Sequence, residues 1–258
     1  MVNYVEFKPR LIKYPKAIVI APEAESVLGF NPKEVYNQAK EKIEKDFKEN
    51  SKAIKSLTNG IDFKELTGSQ FFWNNYLNNF FKEQGINGRV MDLNDLGKIY
   101  SYDENFFDNH YSDTINLCLR SEELSWNNNK HILEDLVKQV KSRGKSFSPK
   151  NPLIMQNIDL VSDNNSNNFY GLLLKLREDS ILENDERFAF GKKKIQFKNE
   201  LGNVEKNLWT KKKDLSRVYA NLREDVYSNY DGLRISIGGN GRVVFVSDEV
   251  ANSQNFKS

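Results

Sequence analysis

The stretch FFWNNYLNNFFKEQG, residues 71–85, narrows the folds open to this chain more than any other. Its large apolar side chains come as pairs, Phe72–Trp73, Tyr76–Leu77 and Phe80–Phe81, one pair every four residues. Polar pairs fill the gaps: Asn74–Asn75, Asn78–Asn79 and Lys82–Glu83. Steps of four drift slowly around a helix, so the three apolar pairs share one broad stripe. Thr67 or Ser69 is placed to cap the start, and Gly85 stands where a C-terminal capping glycine belongs. Six exposed side chains of this size would form a patch that a monomer rarely tolerates. The stripe is therefore expected to face a core; a ligand groove and a partner helix are the other two readings.

The flanking segments carry patterns of both kinds. AIVIA, residues 17–21, lies between Pro15 and Pro22 and reads as a short buried strand. Asn31–Pro32 opens an amphipathic helix along Val35, Ala39, Ile43 and Phe47, extended by Ile54 and Leu57 and ending near Asn59–Gly60. Residues 89–93 and 114–120 read as strands, the second alternating Ile115, Leu117 and Leu119 against Asn116, Cys118 and Arg120. The acidic, aromatic segment 100–113 between them reads as a loop. A further helix spans about 128–143, with Ile132, Leu133, Leu136, Val137 and Val140 on its apolar face and Gly144 at its end.

After the Gly/Ser/Pro/Lys stretch 144–152 the pattern turns to β. Residues 153–161 and 169–177 flank the polar turn SDNNSNN as a long hairpin, and LRISIGGNGRVVFVSD reads as a second hairpin around Asn240–Gly241. Residues 214–230 have helical spacing, with Asp214 as N-cap; alternation from Arg217 to Leu222 keeps a strand open there. The expected fold is α+β, a helix-rich N-terminal half packed on a mainly antiparallel sheet of C-terminal hairpins. One domain over 1–258 is expected, with a sub-boundary at 144–152.

No run of about 18 apolar residues is present, so no membrane partner is expected. The N-terminus lacks the layout of a signal peptide. Cys118 is the only cysteine, which leaves no disulfide within the chain and suits a reducing, cytoplasmic setting. Phosphate-loop, GxSxG, HExxH and dinucleotide signatures are missing, and there are two histidines. His110 reads as a loop residue among acids, His131 as a helix residue and Cys118 as a small core residue. No cofactor is expected, and the reading leans away from an enzyme.

Charge gives the one lopsided feature. Between Phe190 and Arg223 stand ten basic and three acidic residues, a net of +7; the remaining 28 basic and 33 acidic residues net −5. Lysine and asparagine are frequent throughout, so a solvated surface explains part of this. Phosphate binding explains the concentration, and Trp209 among the lysines offers a face for an unpaired base. Three functions stay open. The first is a non-catalytic nucleic-acid or polyanion binder using Lys192, Lys193, Lys194, Lys198, Trp209, Lys211, Lys212, Lys213 and Arg217. The second is a structural subunit that contacts copies of itself or a larger complex. The third is a metal-dependent nuclease built on Asp185, Gln196 and Lys198.

Overall fold

A computed structural model describes residues 17–221, 225–230, 232–234 and 240–247. The fold is α+β. In chain order it runs β1 (Ala17–Ile20), α1 (Ala24–Leu28), α2 (Pro32–Asp46), α3 (Ser51–Thr58), α4 (Phe71–Gln84), β2 (Arg89–Val90), α5 (Leu93–Tyr102), β3 (Ser112–Leu119) and α6 (Lys130–Ser142). There follow β4 (Leu153–Ser162), β5 (Leu172–Asn184), β6 (Lys194–Asn199), β7 (Gly202–Thr210), β8 (Leu215–Asn221), β9 (Asp225–Ser228) and β10 (Val244–Ser247). A seven-stranded sheet has the order β5-β4-β3-β8-β9-β7-β6, and a three-stranded sheet the order β1-β10-β2. These strands pair antiparallel throughout except for β7 and β9.

Helix α4 carries the stripe as expected. Phe72, Trp73, Leu77, Phe80 and Phe81 are buried and Tyr76 is half-buried. Gly85 ends the helix in the left-handed region at φ 64°, while the start is capped by Gln70, whose side chain accepts from the Phe72 N–H. The polar side of α4 is a surprise, because Asn74, Asn75 and Asn78 are buried as well. The helix is wedged between the large sheet and β2 and has little solvent face. Its asparagines serve backbone groups that no strand satisfies. Asn75 and Asn79 both donate to the Ile158 carbonyl, beside a bulge where Asn157 takes φ 57°. Asn74 donates to the Asp113 carbonyl at 2.7 Å, and Asn78 accepts from the Val90 N–H at 3.2 Å. A buried backbone group without a partner costs about 1–3 kcal/mol, which explains amides where an apolar residue would otherwise pack.

Both faces of the large sheet are covered along β3, all of whose residues are buried. Ile115, Leu117 and Leu119 meet α2, α3, α4 and α6 on one side. Cys118 and, from β8, Val218 and Ala220 meet α5 on the other. The β5 edge is closed by α6: Gln139 donates to the Leu174 carbonyl and accepts from the Leu176 N–H, as a neighbouring strand would. Helix α5 lies close on β6 because residue 97 is glycine. A Cβ there would stand 2.6 Å from the Phe197 ring, which is itself buried. Gly97→Ala is expected to destabilise by roughly 1–3 kcal/mol through overpacking, against a helix-propensity gain of about 1 kcal/mol; thermal denaturation reads the difference.

Several expectations need correction. Residues 214–230 are strands β8 and β9 rather than a helix: β8 sits between β3 and β9, where both edges of its backbone are paired. The 89–93 strand is two residues long, since Asp92 caps α5 from Leu93 onward. Segment 100–113 is less of a loop than expected: α5 runs into it to Tyr102, and Phe107, His110 and Tyr111 are buried. The long helix from Asn31 breaks at 47–50, where Asn50 caps α3 and also donates to Ser162, Asp163 and Gly171. The early strand joins the small sheet, while the 114–120 strand joins the large one. The SDNNSNN hairpin is present as β4–β5. The second hairpin, 233–248, is not formed as expected: both edges of β10 are taken, by β1 and β2, so no strand before Asn240–Gly241 can pair with it, and Gly241 bridges Tyr111 instead. Residues 235–239 of its first arm lie outside the described residues.

Candidate nucleic-acid interface

Beyond β8 no helix among the described residues packs on the face of the large sheet that carries Ile115 and Leu117, and the residues there form one row across four strands. Asp113 on β3 is opposite Tyr219 on β8, Tyr219 opposite Tyr227 on β9, and Tyr227 opposite Trp209 on β7. Side chains at facing positions stand side by side, and here they stack. Tyr219 and Tyr227 lie 5.2 Å apart at 17°, and Tyr227 and Trp209 lie 6.0 Å apart at 12°. Exposure rises along the row, from 4% at Tyr219 to 51% at Trp209.

Trp209 is held in place. Its indole N–H donates to Asp225 Oδ2 at 3.0 Å, and Asn207 donates to Asp225 Oδ1 at 2.9 Å. Asp225 is nearly buried, so one anchored carboxylate fixes both neighbours on β7. Nothing in the local sequence marks Asp225 for this task, since the contact spans a parallel pairing between β7 and β9 that only the assembled sheet creates.

The basic residues take separate places. β6 pairs with β7 from Lys194 opposite Asn207, and the ladder runs one bond further, the Leu208 N–H donating to the Lys193 carbonyl at 2.8 Å. The ladder ends there: the Lys192 N–H turns back to the Ala189 carbonyl at 3.1 Å. Lys192, Lys193 and Lys212 are exposed. Lys211 lies two residues beyond Trp209, where it donates to Ser125 Oγ; burial, the largest influence, lowers its amine to about 8. Lys194 is paired with Glu205 at 2.5 Å, and Lys213 with Glu123. Lys198 is exposed but stands at the far end of β6, opposite Asn203. Lys206 points inward, 4.8 Å from the centre of the Tyr100 ring.

Arg217 is interior. It has no exposed surface and donates to both oxygens of the equally buried Asp113, at 3.0 and 2.9 Å. Its guanidinium lies over the Tyr219 ring at 4.6 Å. The charge counted there in the sequence is spent on Asp113, a carboxylate at the end of the segment expected to be a loop. Arg223 lies outside the described residues.

The nuclease residues do not converge on one open centre. Asp185 caps a short turn and takes a two-pronged ion pair from Arg187, its shortest contact 2.7 Å. Gln196 donates to Glu205 at 3.3 Å. Among the described residues no group of three or more His, Cys, Asp or Glu side chains is arranged to hold a metal. His110 is buried beside Phe106 and Phe107, and that burial lowers its imidazole to about 4. Burial likewise raises the Cys118 thiol, which suits a core residue rather than a nucleophile. No helix among the described residues is long and apolar enough to cross a membrane. No family model, curated protein or solved structure matches the chain.

Proposed function

We propose that this protein binds single-stranded nucleic acid without catalysis, stacking an unpaired base on Trp209 and holding neighbouring phosphates with Lys192, Lys193, Lys211 and Lys212. The observation that carries the reading is a half-exposed tryptophan locked by Asp225 at the open end of an aromatic row. An exposed indole fixed in this way presents its face at little further entropic cost on binding. Every base has a face to stack, so the contact tolerates any sequence. Exposed Lys192, Lys193 and Lys212, with half-buried Lys211, supply the phosphate contacts, whose strength falls with salt.

Trp209→Ala is expected to remove about 1–3 kcal/mol of affinity for a single strand and to change duplex binding little, because paired bases offer no free face. Replacing Lys192, Lys193 and Lys212 by glutamine should flatten the salt dependence by about 0.7 of slope for each phosphate that is no longer neutralised. Lys211 loses its charge as pH rises through about 8, so wild-type affinity should decline over that range. Titration of labelled single- and double-stranded oligonucleotides at several salt concentrations reads all three. Binding indifferent to both salt and Trp209 would defeat the proposal. Salt-insensitive self-association in its place would favour the structural-subunit reading, although the lysines on the β6 edge oppose edge-to-edge pairing.

A further inference from the structure

On the opposite face of the large sheet, between β3, β4 and β5, lies a cleft of about 300 Å³ that the nucleic-acid reading does not use. Ile154, Ile181 and Leu93 give it an apolar floor. Its polar wall begins at Asn116, which is 3% exposed. Asn116 Oδ1 accepts from the Leu93 N–H at 2.7 Å, and its amide nitrogen reaches Gln156 Oε1 only at 3.4 Å. Among the described residues the other end of the Gln156 amide has no partner, and neither has the Glu183 carboxylate at the rim. Register explains the grouping: Ile154 faces Glu183 and Gln156 faces Ile181 across the β4–β5 pair.

The charges in the cleft do not cancel. Among the described residues Arg187 is the one cation lining it, and its guanidinium is committed to Asp185 through Nε and Nη2. That pair is neutral, so Glu183 remains as a net negative charge beside an apolar floor and an amide. The lining is mostly polar, with Leu93, Ile154 and Ile181 as its apolar part; a concave site where a few polar groups converge beside an apolar floor is a form in which small molecules bind. We infer that the cleft binds a small organic monocation, an alkylammonium group whose short hydrocarbon stem lies on Ile154 and Ile181 and whose charged head meets Glu183. The carboxylate accepts the head's N–H hydrogen bonds, and the amide at Gln156 offers the remaining polar contact. A bare metal ion is a poor match, because one uncommitted carboxylate and neutral amides do not make a cage for it.

The test is a titration of the full chain with pentylammonium, followed through the side-chain amide NMR signals of Gln156 and Asn116. Ammonium supplies the charge without the stem, and pentanoate the stem with the opposite charge. Saturable shifts with pentylammonium, weaker ones with ammonium and none with pentanoate are expected. Glu183→Gln, a change at an exposed side chain that leaves the fold intact, should weaken pentylammonium binding about tenfold or more, the usual loss for a charge-assisted hydrogen bond. Trp209→Ala should leave it unchanged, which separates this site from the nucleic-acid reading. Absence of a saturating response, equal binding by pentanoate, or an undiminished response in Glu183→Gln would each overturn the inference.

Discussion

Replacing Trp73 by alanine is expected to cost the folded protein about 3–5 kcal/mol, the range for emptying a fully buried aromatic site. Trp73 has no exposed surface and meets Tyr36 edge-on at 5.0 Å and Phe63 at 5.3 Å. It thereby joins α4 to α2 and to the segment after α3. These neighbours come from separate elements and cannot all close on the void, so little of the loss is recovered by collapse. For a chain of this length each kcal/mol lowers the melting temperature by about 2–4 °C, so a drop of roughly 6–20 °C should appear. Trp73→Phe keeps most of the volume and should lose far less. A melting curve for Trp73→Ala within about 2 °C of wild type would mean that α4 is not the centre of this core.

Arg217→Met is expected to be as damaging, for an electrostatic reason. Removing one partner of a buried ion pair costs about 3–5 kcal/mol, because the remaining charge stays in the interior uncompensated. Burial already pushes the Asp113 carboxyl up to about 6, with Arg217 pulling the other way. A carboxyl raised on folding stabilises most at low pH, and that contribution is lost as pH rises through its folded value. In wild type the loss falls between about 4 and 6. Without Arg217 the folded value climbs further, so the variant goes on losing stability above 6 after wild type has levelled off. The gap between the two should therefore be widest near neutral pH and shrink on acidification. Asp113→Leu combined with Arg217→Met should regain much of the loss, since an apolar pair needs no compensation. Among the described residues Arg217 Nε and Nη2 have no hydrogen-bond partner, which favours that recovery. Chemical denaturation of wild type, Asp113→Leu, Arg217→Met and the double variant at two pH values reads the coupling directly.

Much of the fold was legible because its signals are local. The steps of four in α2 and α4 each place one face inward whatever lies opposite, and Asn31–Pro32 and Gly85 act on the backbone beside them. The asparagines of α4 were harder to read, because the same residue is neutral on a surface and necessary beside an orphaned carbonyl. Asn75 differs from an exposed asparagine only in that the Ile158 carbonyl, 83 positions away, ends next to it. Segment 214–230 misled for a related reason. Its apolar residues satisfy two periods at once, and the choice went to the strand because β3 and β9 supply partners on both sides.

The candidate site divides along the same line. Composition and order alone singled out Trp209 and the lysines around it, since charge concentration and an aromatic among cations are properties of the chain. Which of those charges remain available is a matter of position. Arg217 is spent on an aspartate 104 residues earlier, Lys213 on Glu123, and Lys194 on Glu205 across the hairpin. The α+β class, the buried helix α4 and the β4–β5 hairpin can be read from the chain alone, because periodicity and capping act within a few residues. The stacked row ending at Trp209, the interior place of Arg217 and the cleft at Glu183 arise only in the assembled fold. Each of these depends on strands far apart in the chain meeting in one register, and no local pattern encodes that meeting.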